Sequence, residues 1–206
     1  MEIRNYKPTM RYRPFGSRTD VLVSMLGIGA MRLPLTAEGA IDETRADELM
    51  EAGLERGINY IDTAYIYNDG ASEQIVGNTL QRGWRDKVYV ATKMPVWELE
   101  KPGDQAPLFH TQLERLRVDQ IDFYLLHSLN ARYWQHALRS DSLAWLDAEK
   151  RRGRIRFAGF SFHDDFDVFK TIVDAYDWDF CQIQYNYAQH DIQAGTRGLQ
   201  YAHSKG

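Results

Sequence analysis

The sequence predicts an α/β protein whose parallel strands form a (β/α)8 barrel of the TIM type. Apolar runs of strand length alternate with segments of helical period along the 206 residues, and this alternation indicates right-handed βαβ units. Four of the apolar runs end in a polar residue, at Asp62, Lys93, His127 and Ser161. The first interval is 31 residues and the next two are 34 each, which suits βα units of about 30 residues.

An open, doubly wound sheet is the competing architecture. A barrel builds its active site from the carboxyl ends of several strands, and four contributing strands fit that better than a crevice between two. The open dinucleotide-binding fold also needs a G-x-G-x-x-G fingerprint. Here Gly27-Ile28-Gly29 is followed by Arg32 at the position of the third glycine. We therefore interpret these glycines as tight packing at the end of the first strand.

The predicted strands and helices follow one another along the chain. Strands are predicted at residues 21–28, 59–63, 88–92, 121–126, 157–162 and 180–184. One helical face carries Ala46, Leu49, Met50, Gly53 and Leu54 and ends at Gly57. Ser72 is the predicted N-cap of a helix reaching residue 81, and Glu73 lies in its first turn. Further helices are predicted around Phe109, Leu113 and Leu116 and at 140–152, 166–176 and 196–204.

Two segments, 95–107 and 128–139, are interpreted as long connections. They contain Trp97, Tyr133 and Trp134. These aromatic side chains either line a pocket at the barrel mouth or pack on its rim, and the sequence favours neither.

Composition limits the classes of function. The formal net charge is −4, which indicates neither a nucleic-acid-binding nor an anionic-membrane surface. No stretch approaches the roughly 20 apolar residues that span a bilayer, and residues 1–18 lack the apolar core of a signal peptide. Cys181 is the single cysteine of the sequence, so no internal disulfide forms and we expect a cytoplasmic protein.

Asp62, Tyr67, Lys93 and His127 together suggest one proton-delivery unit. A phenol is a poor proton donor near neutral pH, because its ordinary pKa is about 10. A nearby ammonium favours the phenolate, a carboxylate holds the ammonium in place, and an imidazole can hydrogen-bond a carbonyl oxygen. Singly, each residue has a structural explanation: a loop cap, one of twelve tyrosines, a solvated strand end or a core histidine. Their joint placement at strand ends favours the functional interpretation.

These motifs resemble the signatures of the aldo-keto reductase family. The similarity runs in order from about residue 10 to residue 206. The stretches that carry it are Leu26-Gly27-Ile28-Gly29-Ala30-Met31, Asn59-Tyr60-Ile61-Asp62-Thr63-Ala64-Tyr65-Ile66-Tyr67, Gly70-Ala71-Ser72-Glu73 with Gly77, Val90-Ala91-Thr92-Lys93 and Tyr124-Leu125-Leu126-His127.

The resemblance implies a role for each of the four residues. Tyr67 would be the general acid in reduction and the general base in oxidation. Lys93 and Asp62 would stabilise its phenolate, and His127 would orient and polarise the carbonyl of a small aldehyde or ketone, or the corresponding alcohol.

The resemblance also implies NADP(H) as the cofactor. Ser161 and Gln182 would hold the nicotinamide carboxamide, with Gln184 on the same side of the strand as Gln182. The remaining cofactor contacts implied by the family's pattern are Gly29, Met31, Asp62, Phe162 and His163.

The sequence departs from the family pattern after Ser161. The family usually has asparagine next, where this chain has Phe162, and His163 would supply a polar contact instead. Phe160-Ser161-Phe162-His163 resembles a branch whose members often carry a C-terminal ferredoxin-like extension. The sequence has no cysteine cluster, so no iron–sulfur site is expected within it.

The larger departure is in length. Residues 1–206 account for one barrel domain with about six βα units, and the family's seventh and eighth strands have no counterpart. In the family these regions stack on the nicotinamide and contact the adenosine and 2′-phosphate. We therefore expect these residues to belong to a longer polypeptide.

Two other functions remain open at this point. The first is a non-catalytic, nicotinamide-binding regulatory subunit on the same barrel, since fold does not fix function. The second is a metal-dependent barrel hydrolase. The sequence offers it no H-x-H or H-E-x-x-H spacing, and we expect no metal site. The histidines are His110, His127, His136, His163, His190 and His203. The sequence indicates no particular oligomeric state.

Overall fold

The computed structural model describes residues 1–17 and 20–206 and has the alternating strands and helices predicted for an α/β protein. The strands are β1 (Glu2–Ile3), β2 (Tyr12–Pro14), β3 (Val21–Ser24), β4 (Ile28–Gly29), β5 (Tyr60–Asp62), β6 (Tyr89–Met94), β7 (Ile121–Leu129), β8 (Ile155–Phe162) and β9 (Phe180–Ile183). The helices are α1 (Glu43–Glu55), α2 (Ala71–Thr79), α3 (Gln105–Leu116), α4 (Ala131–Arg139), α5 (Ser142–Arg151), α6 (Phe166–Asp174) and α7 (Gly195–Ser204). Among the helices of residues 1–17 and 20–206, none has the length and hydrophobicity of a membrane-spanning segment.

Strands β4 to β9 form one parallel sheet whose order follows the chain. In register, Gly29 lies opposite Asp62, Asp62 opposite Ala91, and Ala91 opposite Phe123. A doubly wound sheet reverses its strand order at a switch point, whereas β4 to β9 show no reversal. These six strands therefore form a curled arc of a (β/α)8 barrel.

The inner side of the arc is filled by aromatic and aliphatic side chains near the amino ends of the strands. The Phe123 ring centroid lies 5.2 Å from that of Phe157 and 5.3 Å from that of Phe180. Tyr89, Ala91 and Leu125 are buried in the same cluster. Because side chains alternate along a strand, the next inward positions lie at the carboxyl ends, above this apolar layer.

The outer side of the arc packs against the helices. Ile61, Val90, Tyr124 and Phe160 alternate with the inward residues, and all four are fully buried. The helices cover them with apolar faces, and the buried helical residues include Met50, Leu54, Phe109, Leu116, Phe169 and Ile172. Strands β5 to β9 thus contribute to two cores, one inside the arc and one between strands and helices.

The predicted strand at 21–28 is wrong as a single element. Its first half, Val21–Ser24, pairs with β1 and β2 in a separate three-stranded sheet, and only Ile28–Gly29 joins the barrel. The chain turns at Ser24, whose hydroxyl donates to Leu26 O and accepts from Asn59 N. The Asn59 side chain completes the junction, because its oxygen accepts from Ser24 N.

The small sheet covers the amino ends of the barrel strands. Val21 packs in the inner cluster beside Tyr89 and Phe123. The buried carboxylate of Asp122 receives Nη1 of Arg4 at 3.1 Å and Nη1 of Arg85 at 2.7 Å. The Arg4 pair ties the N-terminal segment to the start of β7, and the Arg85 pair ties the turn before β6 to the same carboxylate, so the inner apolar layer is closed from below.

Three further sequence predictions differ from the structure. Gly70, not Ser72, is the N-cap of α2, and the Ser72 hydroxyl instead donates to Ala30 O at 2.7 Å. Leu49 is 58% exposed and lies off the buried face of α1. Segment 128–139 is no open connection, because β7 continues to Leu129 and α4 follows, with Asn130 capping it by accepting from Tyr133 N.

Helices α2 and α3 cross closely enough to require a glycine. A Cβ at Gly77 would lie 2.3 Å from Arg115 O and 2.9 Å from the carbonyl carbon of Leu116. Both atoms belong to the backbone of α3, so neither can be displaced without a large cost in free energy.

We predict that Gly77→Ala destabilises the protein by about 2 kcal/mol or more, because overpacking costs exceed the helix propensity gained by alanine. Urea denaturation followed by circular dichroism measures this. The matched control is Gly27→Ala, whose Cβ would meet its nearest atom at an ordinary 3.5 Å. Equal denaturation midpoints for the two variants would contradict the close helix crossing.

Candidate active site

The inward side chains at the carboxyl ends of five strands form one polar group. Asp62, Lys93, His127, Ser161 and Gln182 are each two residues beyond an inward residue of the layer below, on β5 to β9 in turn. Strand periodicity therefore brings together residues that are far apart in sequence. The structure thus brings the polar residues predicted at the ends of the strands to one end of the sheet.

Lys93 is at the centre of this group, and its side chain is 2% exposed. Its Nζ donates to Asp62 Oδ2 at 2.7 Å, to Thr63 O at 2.7 Å and to Tyr67 Oη at 3.2 Å. Because the Tyr67 oxygen accepts from the ammonium, the phenolic proton is directed elsewhere. Three of the four predicted catalytic residues are thus joined by direct hydrogen bonds.

The Asp62 carboxylate is the counter-charge of this ammonium. Burial raises the pKa of Asp62, while the neighbouring Lys93 ammonium and the Gln182 amide act in the opposite direction. The ion pair therefore depends on both partners, since either charge alone would be poorly solvated here.

His127 is held neutral. Burial lowers the pKa of His127 to about 3, and Lys93 and His163 act in the same direction. Its ring centroid lies 5.8 Å from that of Tyr67, edge to face. A neutral imidazole offers one hydrogen-bond donor and one acceptor, so His127 can bind a polar oxygen without carrying charge.

A tight left-handed turn follows Tyr67. Asn68 and Asp69 have φ values of +52° and +53°, and Gly70 has φ of +89°. Asparagine and aspartate tolerate this region better than most residues, and glycine adopts it freely. The turn ends the loop after β5 and directs the Tyr67 ring over Lys93, whose Nζ lies 4.7 Å from the ring centroid.

A cleft of about 350 Å³ opens beside these groups. Its lining residues are Met31, Ile66, Tyr67, Asn68, His127, Ser128 and His163. Trp97 lies 5.4 Å from the ring of His127 and 5.4 Å from that of Tyr133. Trp134 is instead buried among the helices. Of the three aromatic residues left undecided by the sequence, Trp97 thus adjoins His127, and Tyr133 packs against Trp97.

The residues predicted to contact cofactor have different surroundings. The Ser161 hydroxyl accepts from Ser128 N at 2.7 Å, and Ser161 pairs in register with the exposed Gln182. His163 lines the cleft. Phe162 is buried, with its ring 5.1 Å from that of Phe169. Its side chain therefore faces the helices and not the cleft.

Gly29 and Met31, the two predicted cofactor contacts near the end of β4, are open to solvent. Met31 is 55% exposed and lines the cleft. A Cβ at Gly29 would meet nothing within 4 Å, and one at Gly27 would make only ordinary contacts. Tight packing therefore does not explain these glycines, contrary to the interpretation from sequence.

Sequence reasoning missed a buried polar network on the outer side of β6. Glu73 is fully buried and bonds to Thr92, Gln112 and Arg115. A signal was present, because Gln112 lies between Phe109 and Leu116 on the apolar face of α3. Within the described ranges, no three His, Cys, Asp or Glu residues are grouped as metal ligands.

A model of the aldo/keto reductase family matches residues 25–206. The chain belongs to this family. It is 36% identical over 117 residues to the aldo-keto reductase YhdN of Bacillus subtilis strain 168, an overlap of 53% of this chain and 35% of that protein. It is 33% identical over 175 residues to the NADH-specific methylglyoxal reductase of Escherichia coli K12, covering 73% of this chain and 51% of that protein.

Solved structures of aldo-keto reductases have the same fold. The enzyme from Klebsiella pneumoniae in complex with NADPH superposes with a TM-score of 0.75 at 25% identity. The match covers 95% of this chain and 65% of that one. This aldo-keto reductase chain thus spans about a third to two thirds of the length of these relatives.

The neutral state of His127 predicts a pH-dependent stability. In the unfolded chain His127 is protonated below its ordinary pKa of 6.5, whereas in the folded chain it is protonated only near its lowered pKa of about 3. The free energy of unfolding therefore falls as the pH drops below 6.5, by roughly 2 kcal/mol at pH 5 from this residue.

Urea denaturation at several pH values, comparing the wild type with His127→Gln, measures this contribution. Glutamine keeps a hydrogen-bond donor and acceptor but does not titrate. We expect a steeper loss of stability in the wild type between pH 6.5 and 4. Identical pH dependence in the two proteins would show that His127 is not held neutral by the fold.

Proposed function

We propose that this barrel transfers a hydride between NADP(H) and the carbonyl or alcohol of a small molecule, with Tyr67 as the general acid or base. The observation that carries the proposal is the position of Lys93, whose ammonium touches both Asp62 Oδ2 and the Tyr67 hydroxyl oxygen. A buried ammonium hydrogen-bonded to a phenol oxygen stabilises the phenolate that remains after proton transfer.

The proton has a defined source in this arrangement. The Tyr67 oxygen accepts from Lys93, which leaves its own O–H free to donate to a carbonyl oxygen in the cleft. His127, held neutral, donates a second hydrogen bond to the same oxygen and fixes its position. In oxidation the same contacts operate in reverse, and Tyr67 receives the alcohol proton.

The residues around the cleft fit a nicotinamide cofactor. Nδ1 of His127 and Oδ1 of Asn68 are buried with no hydrogen-bond partner among the described residues. The space beside Gly29 is unoccupied, because a Cβ there would meet no atom within 4 Å. Ser161 and the exposed Gln182 would hold the carboxamide, with Met31 and His163 at the margins. When bound, the cofactor supplies or receives the hydride.

NADP(H) is proposed over NAD(H) because the Klebsiella relative was solved with NADPH. The relative from E. coli is described as NADH-specific, so the choice is tested by offering both cofactors. A small aldehyde or ketone fits the cleft volume of about 350 Å³, which is at the lower end of the range for ligand pockets.

We predict that Tyr67→Phe lowers the rate of carbonyl reduction by about 100-fold or more, because it removes the proton donor. The assay mixes the chain with NADPH or NADH and a panel of small aldehydes and follows the cofactor absorbance. Cofactor binding, measured by fluorescence, should change little. The matched control is Tyr6→Phe, because Tyr6 is exposed and its ring lies beside that of Tyr12 in the N-terminal segment.

The alternative is a non-catalytic, nicotinamide-binding regulatory subunit. Cofactor binding with no turnover of any aldehyde, and no effect of Tyr67→Phe, would favour that alternative and overturn the reductase proposal.

A further inference from the structure

A buried ion pair lies behind the catalytic residues, on the side of β6 that faces the helices. Glu73 Oε1 accepts from Thr92 Oγ1 at 2.6 Å and from Gln112 Nε2 at 2.9 Å. Glu73 Oε2 pairs with Arg115 Nη1 at 3.2 Å. Glu73 and Gln112 are fully buried, so neither can contact a substrate. The pair can therefore influence the cleft only through the groups that it holds.

The first of these groups is the loop that carries Tyr67. Arg115 Nη1 donates to Tyr65 O at 3.1 Å, and its guanidinium carbon lies 4.5 Å from the Tyr65 ring centroid. The guanidinium also abuts Gly70, where a Cβ would lie 2.5 Å from the guanidinium carbon. Arg115 therefore holds the loop both before and after Tyr67.

The second group is the backbone of Lys93. Gln112 Nε2, which also bonds Glu73, donates to Lys93 O at 3.1 Å. The Gln112 oxygen in turn accepts from Tyr124 Oη, so the amide is fixed in orientation. Tyr65 N approaches the same Lys93 oxygen at 3.4 Å. One carbonyl thus joins the strand end to the loop.

We propose that Arg115, fixed by Glu73, is a positioning residue that sets the contact between the Tyr67 hydroxyl and the Lys93 ammonium. The loop that Arg115 contacts at Tyr65 and Gly70 contains two non-glycine residues in the left-handed region, Asn68 and Asp69. Such a backbone persists only where its surroundings hold it, and Arg115 supplies that restraint. The effect on rate rests on the proposed reductase function, whereas the effect on geometry does not.

The test compares Arg115→Lys with Arg117→Lys in the full chain. Lysine keeps the charge but lacks the planar fork that reaches Tyr65 O, Glu73 and the Tyr65 ring together. Arg117 lies on the same end of α3 but is exposed. A second variant, Glu73→Gln, leaves the guanidinium in place and removes its charged partner. Circular dichroism identifies the variants that fold.

Two readouts are needed. The first is kcat and KM for aldehyde reduction, where a displaced proton donor lowers kcat by on the order of ten-fold or more with a smaller change in KM. The second is the nuclear Overhauser contact between the Lys93 side chain and the Tyr67 ring in selectively labelled protein, which requires no activity.

We expect Arg115→Lys and Glu73→Gln to weaken the Lys93–Tyr67 contact and to lower kcat, with Arg117→Lys unchanged in both. An unaltered Lys93–Tyr67 contact in folded Arg115→Lys protein would overturn the positioning role, whatever the rate. A wild-type chain that reduces no aldehyde would overturn the reductase proposal, while the contact measurement would still decide the role of Arg115.

Discussion

The Lys93 ammonium is almost completely removed from water, and the rest of the site is arranged around it. Burying an unpaired ammonium costs several kcal/mol, so the fold must supply partners on every accessible side. Asp62 provides the opposite charge, Thr63 a backbone carbonyl and Tyr67 a phenolic oxygen. Asp62 is the last residue of β5, and Thr63 and Tyr67 lie in the loop that follows it. The pairing of β5 with β6 therefore brings the buried ammonium to its partners as well as joining two strands of the sheet.

The apolar half of the barrel interior gives this ion pair its environment. Phe123, Phe157 and Phe180 close the space beneath the strand ends, and the N-terminal sheet covers it from below. Polar groups above such a layer have a low-dielectric environment on one side, which strengthens the electrostatic interactions between them. The same burial keeps His127 uncharged beside an ammonium. Without the aromatic layer, water would reach Lys93, and the burial that lowers the pKa of His127 would be lost.

The site was predictable from sequence to the extent that it follows strand periodicity. Each strand exposes alternate residues inward, so a polar residue at the last inward position is visible in the sequence, as at Lys93 and His127. The N-terminal sheet was not visible, because its pairing depends on one distant side chain, Asn59, that bonds Ser24 and two backbone carbonyls. Helix α4 was missed because segment 128–139 was interpreted as a long connection, and its aromatic residues were assigned either to a pocket or to the barrel rim. Yet Trp134 and Ala137 have the spacing of a buried helical face.

The strand β6 has polar groups on both sides, and this arrangement couples the helices to the cleft. Thr92 faces outward to Glu73, and Lys93 faces inward to Asp62 and Tyr67. The two residues are adjacent, so a shift of the outer network moves the peptide that carries the inner ammonium. A hydrogen bond is sensitive to displacements of a few tenths of an ångström, and the one between Lys93 and Tyr67 is already 3.2 Å long. Under the proposed function, the geometry of the Tyr67 hydroxyl would therefore be determined partly by residues that no substrate touches.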